Sequence, residues 1–99
     1  MVFMDYIVEK KNGRVESDRD KIAFRSLMDR SFAEDRITSA NSEDSQTSLD
    51  LYRIQDNSVT INYNHNVLIR IASDVEDRIS FIKKTIEEKI LGIKLVKID

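Results

Sequence analysis

The chain contains no cysteine, no proline and no tryptophan, and only two glycines and one histidine among its 99 residues. Each absence removes a class of protein. Without cysteine there is no disulfide scaffold, no cysteine-ligated zinc site and no iron–sulfur cluster, and the chain suits a reducing cytoplasm, its expected location. Gly13 and Gly92 stand too far apart in sequence to build a glycine-rich phosphate loop. The lone histidine, His65, lies between Asn64 and Asn66 and reads as a turn residue rather than a metal ligand. No apolar run approaches the ~18–20 residues of a membrane span. The opening MVFMDYIVEKK is apolar first and charged later, the wrong order for a signal peptide. Neither metal nor cofactor is expected.

Charge of one sign is also lacking. The chain has 16 basic and 18 acidic side chains and a net charge of −2. Residues 1–50 carry 8 basic and 11 acidic groups, and residues 51–99 carry 8 and 7. A domain that grips nucleic acid alone shows a basic excess or stripe, so RNA contact is expected only as a share of a larger complex.

What is present is alternation and helical periodicity, in a length that suits one domain. Val2 to Glu9 alternates as a strand, and Asn12-Gly13 supplies a turn. Ser17 is placed to cap a helix over 18–33, with Asp18 and Asp20 in its first turn and Phe24, Leu27, Met28 and Phe32 on one side. Residues 34–48, EDRITSANSEDSQTS, lack periodicity and read as a polar flexible loop. Strands follow at 49–54, 59–63 and 67–72, separated by turns at Asp56-Asn57 and Asn64-His65-Asn66. Ser73 and Glu76 have capping-box spacing. Val75, Ile79, Ile82, Ile86 and Ile90 then form a helical stripe, Gly92 closes the helix, and Ile93 to Ile98 can add a strand. The expected fold is α+β: a single two-layer domain, an antiparallel sheet covered on one face by two helices, in the order β-α-β-β-β-α-β.

No local motif supports nucleophilic catalysis. Carboxylates at Asp18/Asp20 and Asp74/Glu76/Asp77 open helices, where the helix dipole favours them. Lys83–Glu87 and Lys84–Glu88 are i,i+4 pairs of a solvated face. Two features stay unexplained by a self-contained core. Phe81 lies off the isoleucine stripe, with Arg78 and Thr85 beside it, as an interface anchor would. The strands also carry apolar residues on both faces, Leu49 and Leu51 against Tyr52 and Ile54 for example, whereas two helices cover only one face.

The run NHNVLIRIASDVEDRISFIKKTIEEKI, residues 64–90, resembles the small dimerising subunit of the KEOPS complex, an archaeal and eukaryotic assembly that helps make threonylcarbamoyladenosine on tRNA. The likeness lies in a tight polar turn, an alternating strand ending in Ala72, an acidic helix start at Asp74 and a long amphipathic helix. The earlier helix with AFRSLMD, Ala23 to Asp29, fits the family's order of elements. The Asn-Ser pair typical of the family's long helix is replaced here by Lys83-Lys84-Thr85, which suits a divergent paralogue. The resemblance implies a non-catalytic subunit that dimerises through its sheet, with itself or with a related small subunit, and helps assemble a larger catalytic subunit or present tRNA to it.

The expected dimer contact is the strands, through Val59, Ile61, Val67, Ile69 and Ile71 or their opposite-face neighbours. Arg78, Phe81 and Thr85 are the expected contact for the larger partner, and Arg70, Lys83 and Lys84 the candidates for touching tRNA. The alternative is a ferredoxin-like homodimeric regulatory module that binds a small ligand. A small enzyme is the weakest reading, since no nucleophile, metal or phosphate motif is present.

Overall fold

A computed structural model describes residues 1–41, 48–64 and 66–98; His65 lies outside them. Strand β1 (Val2–Lys10) turns through Gly13, at φ +130°, into the short β2 (Gly13–Arg14). Helix α1 (Asp18–Ser31) starts where the sequence predicts: the Ser17 hydroxyl accepts a hydrogen bond from the Asp20 N–H at 3.2 Å. Phe24, Met28 and Phe32, four residues apart, face the core, whereas Leu27 from the same predicted stripe is 38% exposed. A 3-10 turn at Ala33–Asp35 leads into β3 (Arg36–Asn41), which pairs antiparallel with β4 (Ser48–Ile54). The polar loop expected at 34–48 is therefore largely strand where it is described, and residues 42–47 lie outside the described part. RITSAN makes an edge strand, which pairs on one side only and needs no apolar row of its own.

The hairpin from β4 to β5 (Asn57–Asn62) is closed by Gln55 and Asp56, at φ +50° and +65°. Both central residues are left-handed, the geometry that matches the right-handed twist of paired strands. The turn thus sits one residue before the predicted Asp56-Asn57, and the Asn57 side-chain amide donates to the carbonyls of Ile54 and Gln55. Strand β6 (Leu68–Ser73) feeds α2 (Glu76–Lys89), and β7 (Ile93–Ile98) ends the fold. The predicted capping box is not formed. Ser73 Oγ accepts from the Val75 N–H at 3.3 Å, ahead of the helix, and Val75 itself is the cap and is 48% exposed. The rest of the stripe, Ile79, Ile82, Ile86 and Ile90, is buried. Gly92, at φ +86°, makes the reversal into β7, a conformation that glycine adopts without a Cβ penalty.

The seven strands form one antiparallel sheet. Across it the order is β7-β1-β6-β5-β4-β3, with β2 continuing the β6 side of β1. Val8, Val15 and Val67 close that junction through backbone hydrogen bonds of 3.1–3.3 Å. Both helices lie on one face. The core is the inward row of the sheet, Tyr6, Val8, Tyr52, Ile54, Val59, Ile61, Ile69, Ile71 and Leu95, against the buried residues of α1 and α2. At roughly 1.5–3 kcal/mol for each large apolar side chain buried, this is the main stabilising layer. Glu87 of α2 also accepts from the Leu95 N–H at 2.9 Å, tying β7 beneath the helix.

Candidate interaction surface

Register and the alternation of side chains decide which residues the helices leave uncovered. On the outer face, Val96, Ile7, Leu68, Asn62 and Leu49 stand side by side across β7, β1, β6, β5 and β4. The next row is Ile98, Asp5, Arg70, Thr60 and Leu51, and beyond it lie Phe3, Ala72 and Ser58. Phe3 is 56% exposed, Leu49 40% and Leu68 36%. In the middle, the Arg70 guanidinium donates to both carboxylate oxygens of Asp5, at 2.8 and 3.1 Å, and lies 4.1 Å from the Phe3 ring centre. An exposed pair of this kind, screened by solvent, adds little to stability. It sets a charge pattern in a surface where apolar side chains stand beside the polar Asn62, Thr60 and Ser58.

The residues named for the dimer contact point the other way. Val59, Ile61, Val67, Ile69 and Ile71 are fully buried and cannot meet a partner. They are the more uniformly apolar, β-branched side of their strands, and that side takes the helices. Their opposite-face neighbours, Leu68, Arg70, Ala72, Thr60 and Asn62, are the accessible ones.

On α2, Arg78 and Phe81 are exposed, Phe81 by 56%, while the Thr85 hydroxyl donates to the Phe81 carbonyl at 2.9 Å. Arg78 and Phe81 join Gln55, Asp56, Asn57 and Asp77 around an open groove of about 430 Å³. The three named residues do share a helix face, with Thr85 occupied within its own helix. The tRNA candidates are not brought together. Arg70 is on the outer face of the sheet, and Lys83 and Lys84 are on a helix covering the inner face. Lys83 pairs with Glu87 at 3.5 Å, and the expected Lys84–Glu88 pair is not formed.

A third cluster lies between α1 and the sheet. Asp50 of β4 is fully buried and takes Arg25 of α1 through two hydrogen bonds, Nε to Oδ2 at 2.8 Å and Nη2 to Oδ1 at 2.7 Å. Arg36 of β3 reaches Asp50 at 3.6 Å and Asp29 of α1 at 3.1 Å. The Tyr52 hydroxyl donates to Asp29 at 2.5 Å. Arg25 lies 5.3 Å from the ring centre of Tyr63, whose buried hydroxyl has no hydrogen-bond partner among the described residues. Burial, then the bond to Asp29, raises the Tyr52 pKa above its usual value; burial, then the Asp50 charge, does the same for Tyr63. Both phenols stay protonated and act as donors or packing groups, not as bases. With each carboxylate held by arginine, the network locks α1 onto β3 and β4. Its sequence signal is Asp50 itself, which shares strand parity with Tyr52 and Ile54 and so puts a charge on the core face.

Among the described residues, no group of three or more His, Cys, Asp and Glu is placed to hold a metal ion, and no helix is long and apolar enough to cross a membrane. No family model, curated protein or solved structure matches this chain.

Proposed function

We propose that the protein is a non-enzymatic assembly subunit that holds other protein chains through the outer face of its sheet and the exposed face of α2. The observation that carries this reading is the uncovered sheet, where Phe3, Leu49 and Leu68 are exposed beside half-buried Ile7, Leu51, Val96 and Ile98. Exposed apolar side chains grouped on one uncovered face mark interaction sites. Arg78 and Phe81 supply a second contact of the residue types enriched at binding hot spots. The resemblance of residues 64–90 makes the KEOPS tRNA-modification complex the first assembly to test, with this chain as a small dimerising subunit in the cytoplasm. tRNA would be met only as part of that complex.

The test is affinity purification of the tagged protein from its own cells, read by mass spectrometry. Recovery with a kinase-like subunit, a large ATPase-fold subunit and another small α+β subunit is the expected result. Recovery of this protein alone would sink the complex reading and turn the search toward a small ligand, with the groove beside Phe81 as the first place to look.

A further inference from the structure

The sheet ends in β3 on one side and β7 on the other, and the two edges differ. β3 has a register shift between Arg36 and Thr38, an irregularity that makes a strand a poorer template for pairing. β7 pairs with β1 without a shift, and its sequence IKLVKI contains no proline. A regular edge of this kind presents a row of backbone donors and acceptors to any other strand.

Hydrogen-bond parity shows which residues form that row. The Val8 N–H donates to the Val67 carbonyl at 3.1 Å, and the Val8 carbonyl accepts from the Val15 N–H at 3.2 Å. Both backbone groups of Val8 therefore point to the β6 side of β1. Its cross-strand neighbour on β7 is Leu95. Such an antiparallel pair exchanges no bonds, so the Leu95 N–H and carbonyl face away from β1. By the same alternation Ile93 and Lys97 face outward, and Lys94, Val96 and Ile98 face β1. The outward donor at the middle of the row is already taken. The Leu95 N–H donates to Oε2 of Glu87 at 2.9 Å, while Oε1 of the same carboxylate lies 3.5 Å from Lys83 Nζ. Lys83 thus helps to hold Glu87 at the edge, and a charged acceptor binds an amide more strongly than a neutral carbonyl does.

The exposed Lys94 and Lys97 do not close this edge by themselves. Antiparallel pairing of β7 with β7 of another molecule, centred on Leu95, sets Ile93 against Lys97 and Lys94 against Val96. No lysine then opposes a lysine. The same pairing requires each Leu95 N–H to reach the other Leu95 carbonyl. It would also bring two Glu87 carboxylates together at the axis. We infer that Glu87 is an edge guard, an autoinhibitory contact that keeps β7 from adding a strand by occupying the outward N–H of Leu95. This role is independent of the assembly reading, whose contacts lie on the outer face of the sheet and at Phe81.

Sedimentation velocity over a range of concentrations tests it. Glu87→Ala should form larger species than the unaltered protein does, at about tenfold lower concentration, the factor that one hydrogen bond to a charged group supplies. Glu87→Gln keeps an acceptor oxygen within reach and should stay close to the unaltered protein. Adding Lys97→Pro to Glu87→Ala removes an outward donor from the edge and no bond to β1, so it should abolish the new association. Circular dichroism checks that each variant folds, and Glu87→Ser takes the place of Glu87→Ala should that one fail. In the unaltered protein, hydrogen exchange should be slower at the Leu95 amide than at Ile93 or Lys97. A Glu87→Ala protein that sediments as the unaltered one does, association that survives Lys97→Pro, equal association of Glu87→Gln, or a Leu95 amide that exchanges as fast as its outward neighbours would each overturn the inference.

Discussion

Arg25 on α1 grips Asp50 on β4 with two nearly parallel hydrogen bonds, at 2.8 and 2.7 Å, and the carboxylate is wholly buried. A buried ion pair is weak evidence of net stabilisation, because desolvation offsets most of the attraction. Breaking one is another matter, since the surviving charge stays in a poor solvent. Asp50→Leu leaves Arg25 and Arg36 without their shared acceptor and should cost about 3 kcal/mol in urea unfolding. The double variant Arg25→Met/Asp50→Leu should lose less than Asp50→Leu alone. A double variant as unstable as the sum of the two singles would show that the pair is not coupled.

All three tyrosines have raised pKa values, each with burial as the first cause. For Tyr6 the charges of Glu87 and Glu76 add to it. An unfolded tyrosine ionises near 10, whereas the folded chain keeps its phenol protons. Above that pH the unfolded state binds fewer protons than the native one, so stability is full below about pH 10 and falls as pH rises. The slope is about 1.4 kcal/mol per pH unit for each phenol kept neutral. Phenolate absorbance should therefore rise in one step together with loss of the helical circular-dichroism signal. A gradual titration centred near 10 in a protein that remains folded would count against the burial of these hydroxyls.

The parts of this fold visible in the sequence are those where one physical signal dominates. α1 has a hydroxyl cap, acidic residues in its first turn and Phe24, Met28 and Phe32 at helical spacing, and it forms there. The isoleucines of α2 fixed both its span and its buried side. β3 was hidden because an edge strand with Arg36 turned toward Asp29 and Asp50 carries no apolar alternation. The two faces of the sheet were distinguishable in pattern but not in direction. β6 alternates Leu68, Arg70 and Ala72 with Ile69 and Ile71, and both rows read as coverable. The unbroken β-branched row took the helices, and the row interrupted by Arg70 stayed outside. The Arg25–Asp50 lock joins residues 25 positions apart and becomes apparent only when the strand parity of Asp50 is followed inward.

Gly92 tests backbone conformation apart from packing. A Cβ added there meets nothing within 4 Å, so any cost of Gly92→Ala comes from the φ of +86° alone. A side chain in the left-handed region costs roughly 1–2 kcal/mol, and that loss of stability is expected in thermal or urea unfolding. No loss would mean that the turn between α2 and β7 relaxes to another conformation.

Phe81 and Ile82 are adjacent in α2 and lie 100° apart around it, one 56% exposed and the other fully buried. They should separate stability from assembly. Ile82→Ala removes a side chain packed between helix and sheet and should cost about 2–5 kcal/mol, the upper part of that range if the cavity does not collapse. Phe81→Ala removes a ring that touches the open groove and should change stability by no more than about 0.5 kcal/mol. If the α2 face holds a partner, Phe81→Ala will still abolish most of its recovery in affinity purification while the melting curve stays where it was. A Phe81→Ala protein that recovers the same partners at unaltered yield would remove α2 from the interface and leave the sheet as the sole assembly surface proposed for this chain.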